Sequence, residues 1–300
     1  MLNNKIRIWL RAIRPFSLTG SAIAVTLGAI LAIKQGDIQL GYFLLSIFAI
    51  VLLQAGVNLL SDHDDFENKV DTKDSYGSSG VILENLLSSK QVRKGGILCL
   101  ILGCLIGLFL SYEKGILILM LGLIGAIGGY SYTGKPLQLK YIGLGAPLVF
   151  LLFGPLMVIG SFYVQVQSIS AEAFYVSIPV GLLMTAILHA NDIRDIQHDE
   201  KAGIRTLSTM AGKNNSKNIY YGMIILSYVS IIVMIVYRVL PIWSLACFIT
   251  IPTANSNIKT LVHSSDSASS IVNLDKATGK LQAQFGFILI LSILLGLLLR

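Results

Sequence analysis

Apolar residues gather along this chain in long runs separated by polar stretches. Nine runs stand out, at roughly 16–34, 40–61, 95–111, 115–132, 143–164, 173–192, 219–238, 241–261 and 282–299. Most approach the roughly 20 residues that a helix needs to cross about 30 Å of hydrocarbon. The pattern predicts an all-α, polytopic membrane protein with nine transmembrane helices. The eighth run is the most polar, with Thr250, Pro252, Thr253, Asn255, Ser256 and Asn257 in its second half. Two connections are long: segment 62–94 has 33 residues and segment 193–218 has 26. Loops of this length are usually functional. Within the first, Leu83–Leu87 and Gln91–Lys94 read as short helices, the latter capped by Ser88-Ser89. Tyr76–Gly80 reads as a flexible turn.

Charge refines the layout. Of 300 residues only 13% are charged, against about 25% in soluble domains. Nine spans place 19 Lys and Arg on the side of the N-terminus and 4 on the other. The positive-inside rule then puts the N-terminus in the cytoplasm and the C-terminus outside the cell membrane. The net charge of +7 therefore reports topology and gives no support to nucleic-acid binding. Cys99, Cys104 and Cys247 lie in apolar runs without metal-ligand spacing and read as small apolar residues. The run from Phe16 to Ile33 is too long for a signal-peptide core and is kept as the first span.

Acidic residues concentrate at two places. Asn58-x3-Asp62-x2-Asp65 closes the second run and is followed by Asp71. Asn191-Asp192-Ile-Arg-Asp195-x3-Asp199 closes the sixth. Both fall on the cytoplasmic side of the layout. On a helix, Asp62 and Asp65 share a face, as do Asp195 and Asp199, so each pair can reach one ion. A carboxylate costs about 2.5–3.5 kcal/mol at the centre of the bilayer and less at its edge, so such residues have partners. Mg²⁺ combines one or two carboxylates with phosphate oxygens and water. Two facing pairs suit Mg²⁺ ions that hold a diphosphate, with Asn58 and Asn191 adding neutral oxygens one turn earlier. The bland alternative is a set of solvated acids at helix ends. The shared Asn-x3-Asp opening on one side of the membrane argues against it. His63, His189 and His198 lack zinc spacing, and His189 reads as a hydrogen-bonded structural residue. A diphosphate also calls for cations, for which Lys73, Lys135, Lys201, Arg205 and Arg14 are candidates. Each is equally a topology charge or a headgroup contact. The motifs end runs two and six, consistent with two related four-helix units plus a ninth span.

These residues resemble the UbiA superfamily of intramembrane aromatic prenyltransferases, most of all its menaquinone branch. The matches are Arg14-Pro-Phe-Ser, the Asn58 to Asp71 box, Gly77-Ser-Ser-Gly-Val, Tyr130-Ser-Tyr-Thr-Gly-Lys-Pro, Gly143-Leu-Gly, Phe153-Gly-Pro and Asn191 to Leu207. They occur in the family's order over residues 14–207. The last third of the chain matches only as apolar spans. The resemblance implies one transmembrane prenyltransferase domain over residues 1–300, with nine helices around a central cavity. It implies a cytoplasmic cap from segments 62–94 and 193–218. It also implies Mg²⁺ held by Asp62, Asp65, Asp195 and Asp199, a polyprenyl diphosphate bound tail-in, and an aromatic acceptor that loses a proton or carboxylate. In the menaquinone branch that acceptor is 1,4-dihydroxy-2-naphthoate. The chain departs from the family at Ser61, Lys69, Ala146 and Asp192, where Asn, Gly, an acid and Asn are usual. The last two bear on which acceptor is used.

Other readings fit less well. Another quinone precursor or a lipid alcohol as acceptor would keep the same chemistry. A divalent-cation or phosphate transporter would place charge mid-span, whereas these spans are nearly free of it. A CDP-alcohol phosphotransferase needs Asp-Gly and Ala-Arg after the first acid, which Asp62-His-Asp-Asp lacks. Soluble isoprenyl synthases use Asp-Asp-x-x-Asp, but Asp64-Asp65-Phe-Glu-Asn68 ends in Asn.

Overall fold

A computed structural model describes residues 2–36, 38–72, 77–264 and 268–299. Among them every long element is helical, and no strand forms beyond one isolated bridge between Ile142 and Arg205. The order is α1 (Leu2–Ile13), α2 (Pro15–Ala32), α3 (Leu40–Glu67), α4 (Ser89–Lys114), α5 (Ile116–Ser131), α6 (Gly145–Leu151), α7 (Met157–Val166), α8 (Ala171–Lys201), α9 (Leu207–Ala211), α10 (Lys213–Val236), α11 (Ile251–Val262) and α12 (Leu274–Leu298). A π-helical turn, Leu152–Leu156, joins α6 to α7. It contains Pro155, which has no N–H to give to a regular helical bond. Among the described residues seven elements are long and apolar enough to cross a membrane: α2, α3, α4, α6 through α7, α8, α10 and α12. The other two expected spans coincide with α5, of 16 residues, and with the 3-10 helix Ile242–Thr250 followed by α11.

Helix ends correct the sequence reading in some places and extend it in others. The acidic motifs are not loops: α3 runs on to Glu67 and α8 to Lys201. Leu83–Leu87 forms turns rather than a helix. Gln91–Lys94 is the first part of α4, whose cap is Ser88 in a reciprocal capping box with Gln91. The basic N-terminus forms an amphipathic helix, whose Ile8, Trp9, Ala12 and Ile13 pack against Leu59, Val81, Ile82 and Val92. Lys73 and Tyr76 lie outside the described residues.

Lipid tails offer little hydrophobic drive for helix association, so close packing and hydrogen bonds set the bundle. A Cβ on Gly56 would sit 2.9 Å from the Gly96 carbonyl oxygen, so α3 and α4 approach backbone to backbone. The α2–α7 contact is closed by Ser161 donating to the Val25 carbonyl at 2.6 Å. Buried pairs Tyr220–Thr278 and Tyr228–Thr250, each 2.6 Å, join α10 to α12 and to the 3-10 helix before α11. The main core lies between α2, α7, α8 and α10 to α12, around Leu27, Phe162, Leu183, Tyr220 and Phe285. Helix α8 is the axle, with 72% of its apolar window buried against 17% for α4. The other side of the bundle, between α2 to α8, is hollow.

Candidate functional site at the mouth of the cavity

The two acidic motifs occupy equivalent positions in two helix terminations of one design. At the end of α3 the Lys69 amide donates to the Phe66 carbonyl at 3.1 Å and the Val70 amide to that of Asp65 at 2.8 Å. At the end of α8 the Gly203 amide donates to Glu200 at 3.2 Å and the Ile204 amide to Asp199 at 2.8 Å. Both are Schellman closures, with Lys69 and Gly203 in the left-handed region at φ 58° and 72°. Asp65 and Asp199 therefore hold the same place, one turn from a helix C-terminus. The negative ends of two helix dipoles meet there and favour cations. Gly adopts this backbone freely, whereas Lys pays about 1 kcal/mol. Lys69 is exposed. We expect Lys69→Gly to stabilise the detergent-solubilised protein by about 0.5–1 kcal/mol in thermal unfolding. An unchanged or lowered melting temperature refutes the strain.

A single cavity is lined by both motifs. Its mouth carries Asp65, Asp71, Asp192, Asp195 and Asp199, five carboxylates, against two cations, Arg14 and Lys140. The α3 closure turns the chain back, so the Asp71 amide also bonds to the Asp65 carbonyl at 3.0 Å and Asp71 reaches the mouth. Burial, with the Asp65 charge beside it, pushes Asp71 up to about 6. His198 donates from Nε2 to the Val70 carbonyl and ties α8 to the same turn.

The short turn Leu139–Tyr141 bridges the motifs. Its Tyr141 carbonyl accepts from the Arg205 amide at 3.1 Å, just past α8. Its side chains reach α3: Lys140 Nζ donates to Asp65 Oδ2 and Tyr141 Oη to Asp65 Oδ1, both at 2.7 Å. Burial alone would lower the Lys140 ammonium, but Asp65 and the neighbouring tyrosines hold it well above its ordinary value. Burial raises the Tyr141 phenol, which stays protonated as a donor.

Arg14 sits in the break between α1 and α2, at φ 55°, immediately before Pro15. Proline disfavours the right-handed helical region for the residue before it, and the break aims the guanidinium at Asp62. Asp62 is buried and carries that pair. Asp195 is held in a fork by its neighbour Arg194, at 2.9 and 2.8 Å, and Arg194 also reaches Asp275 of α12 at 3.4 Å. The Asn58 amide donates to the Ile13 carbonyl at 2.9 Å and the Ser17 hydroxyl at 3.0 Å, fixing the start of α2.

Asp62, Asp65 and Asp195 each carry a basic partner, as carboxylates near the bilayer were expected to. Among the described residues no three acidic, imidazole or thiol side chains form a ready-made ion cluster. The donor chemistry nevertheless fits a hard divalent cation. Asp62 Oδ2 and Asn191 Oδ1 are buried acceptors with no hydrogen-bond partner, and Mg²⁺ needs only one or two carboxylates beside phosphate oxygens. Of the expected phosphate cations, Arg14 lines the cavity, while Lys135, Lys201 and Arg205 are exposed and outside its lining. Lys135 lies on an outer turn, Lys201 is the last residue of α8, and Arg205 follows the α8 closure. Lys140, Tyr141 and Arg194 were missed. The one signal for Lys140 was its place in the short loop between two apolar runs. His189 is buried and bonded at 2.9 Å to the Ser216 carbonyl, as expected of a structural residue.

The fold and the site define a helical membrane bundle with an acid-mouthed apolar cavity. The chain belongs to the UbiA prenyltransferase family, whose model matches residues 22–272. It is a multi-pass membrane enzyme that transfers prenyl groups. It is 28% identical over 283 residues to 1,4-dihydroxy-2-naphthoate octaprenyltransferase of Bacillus subtilis, covering 94% of this chain and 91% of that one. It is 34% identical to UbiA prenyltransferase domain-containing protein 1 of Dictyostelium discoideum over 225 residues, 73% of this chain and 68% of the relative. A UbiA homologue from Archaeoglobus fulgidus bound to GPP and Mg²⁺ superposes with a TM-score of 0.63 at 14% identity, covering 94% of this chain and 99% of that one. That likeness establishes the shared fold.

Proposed function

We propose that this protein transfers a polyprenyl group from a polyprenyl diphosphate to 1,4-dihydroxy-2-naphthoate, with Mg²⁺, in menaquinone biosynthesis. The observation that carries the reading is one cavity joining a carboxylate-rich mouth to a long apolar interior. The Bacillus subtilis relative, similar over nearly the whole chain, supports the acceptor. In this reading all nine apolar runs cross the bilayer, the shorter two included. Segments 62–94 and 193–218 cap a cytoplasmic mouth, and the C-terminus lies outside, as the Lys and Arg asymmetry favours.

Asp62, Asp65, Asp195 and Asp199, with Asn58 and Asn191 beside them, would hold Mg²⁺, which supplies Lewis-acid neutralisation of the leaving diphosphate. Lys140 and Arg14 place fixed positive charge at the same mouth, where charge grows on the diphosphate oxygens. Asp71 and Asp192 complete the wall against which the acceptor is held. The allylic C–O bond breaks, and its electron pair leaves on the diphosphate. The prenyl carbon bonds to the acceptor ring, which releases its carboxylate as CO₂ or a proton. The apolar walls keep water from the allylic cation.

Membranes containing the protein, Mg²⁺ and labelled polyprenyl diphosphate should give a prenylated quinol with 1,4-dihydroxy-2-naphthoate, identified by mass. Product formed only with another aromatic acid or a lipid alcohol overturns the acceptor. Label taken up without a covalent product overturns the enzyme and favours transport.

A further inference from the structure

The most polar of the nine apolar runs lies away from the cavity. Its two parts, the 3-10 helix Ile242–Thr250 and α11, run antiparallel beside α12. Ser244 and Ser292 share a hydrogen bond at 3.0 Å, and further along Thr253 donates to Gln284 Oε1 at 3.0 Å. The start of α12 stands level with the mouth, because Arg194 reaches Asp275 there at 3.4 Å. Among the described residues none of α11 or α12 lines the cavity.

From the Thr253–Gln284 bond toward the level of the mouth, polar positions continue on both helices. On α12 they are Gln284, Lys280 and Lys276, four residues apart and therefore on one stripe. On α11 they are Thr253 and Ser256, with Lys259 one turn further on. Thr253 and Gln284 are half-buried, and Ser256, Lys259, Lys276 and Lys280 are exposed. The two stripes flank one groove on the outer face of the bundle. Lys259 and Lys280 take part in no salt bridge among the described residues. The two helices carry one acid between them, Asp275, which Arg194 holds.

The groove is layered by depth. Its cations lie nearest the level of the mouth. Its neutral hydroxyls and amide lie deeper, with Gln284 about 15 Å along α12 from Leu274. Beyond Gln284 the same stripe of α12 turns apolar, with Phe287 and Leu291 exposed. Cation, neutral donor and apolar surface in that order complement the phosphate, the ester linkage and the acyl chain of one phospholipid. Polar groups facing hydrocarbon are costly without a partner, which such a lipid supplies. Basic pockets between helices on the cytoplasmic side are where anionic headgroups bind.

We propose that the groove between α11 and α12 binds one anionic phospholipid, its phosphate held by Lys280, Lys276 and Lys259 and its ester oxygens facing Ser256 and the Gln284 amide. The test compares purified full-length protein in nanodiscs of phosphatidylcholine alone and of phosphatidylcholine with phosphatidylglycerol. Phosphatidylglycerol should raise the melting temperature, and native mass spectrometry should find it retained on protein extracted from the mixed discs. Lys259→Gln combined with Lys280→Gln should lower the apparent affinity for phosphatidylglycerol about tenfold. Lys90→Gln combined with Arg93→Gln removes the same charge from exposed positions at the start of α4, beside the end of α3, and should leave that affinity at the wild-type value. Inorganic phosphate added to phosphatidylcholine discs should not reproduce the thermal shift.

Equal losses in the two double variants overturn the proposal, because they show only the general attraction of a basic face for anionic lipid. Wild type that retains both lipids alike, or is stabilised alike by both, overturns it too. A shift reproduced by inorganic phosphate removes the lipid as the ligand. Asn255 is exposed on α11 beside Ser256. A dimer in phosphatidylcholine discs that Asn255→Leu dissociates overturns the proposal as well and assigns the groove to a second copy of the chain.

Discussion

Asp199→Asn is expected to cut prenyl transfer about a thousandfold while the protein accumulates in membranes and unfolds at the wild-type temperature. The residue is buried, lines the cavity and stands one turn from the end of α8. Among the described residues it takes part in no salt bridge, so an amide of the same shape leaves the bundle's own bonds in place. What the amide removes is one negative charge from a mouth built to gather cations. Asp62→Ala and Asp65→Ala are poorer tests. Each strands a basic partner, Arg14 or Lys140, and an unpaired buried charge costs about 3–5 kcal/mol. Lost activity in those variants mixes chemistry with unfolding. Product formation per unit of folded protein, measured with matched melting curves, separates the two. Wild-type turnover in Asp199→Asn removes this carboxylate from the reaction.

The pattern of apolar runs located every long helix, because spanning length is a property of local sequence. It placed the ends of α3 and α8 too early. Charged residues in the last turns of a helix look like loop to a hydropathy reading, yet the Schellman closures at Lys69 and Gly203 carry the helices further. Pairing two motifs 133 residues apart was legible because they share a spacing and a side of the membrane. Their partners were not. Arg14 reaches Asp62 through a backbone break, and Lys140 reaches Asp65 through a turn pinned to Arg205. Neither contact leaves a periodicity. Lys135 drew attention through the motif around it, although only the fold decides which lysine of that loop turns inward.

Lys140→Met should separate a cation's structural role from its chemical one. The ammonium sits among carboxylates on both helix ends: it is bonded to Asp65, and its charge acts on Asp71, Asp192 and Asp199. Without it the mouth keeps five carboxylates against Arg14 alone. In magnesium-free buffer the variant should lose about 3–5 kcal/mol of stability, because it breaks a buried pair. If Mg²⁺ and Lys140 serve the same carboxylates, added Mg²⁺ should then stabilise the variant more than wild type. A ligand at a hundred times its Kd stabilises by about 2.7 kcal/mol, and binding to the more acidic mouth is tighter. Turnover should still fall by about a hundredfold, since Mg²⁺ restores the fold but not the fixed charge aimed at the leaving diphosphate. Melting curves over a magnesium titration, with sodium at equal ionic strength as control, read this without any turnover. An equal or smaller magnesium shift in the variant means that the lysine and the metal do not share ligands. The paired carboxylates would then be structural, and the metal would be held elsewhere.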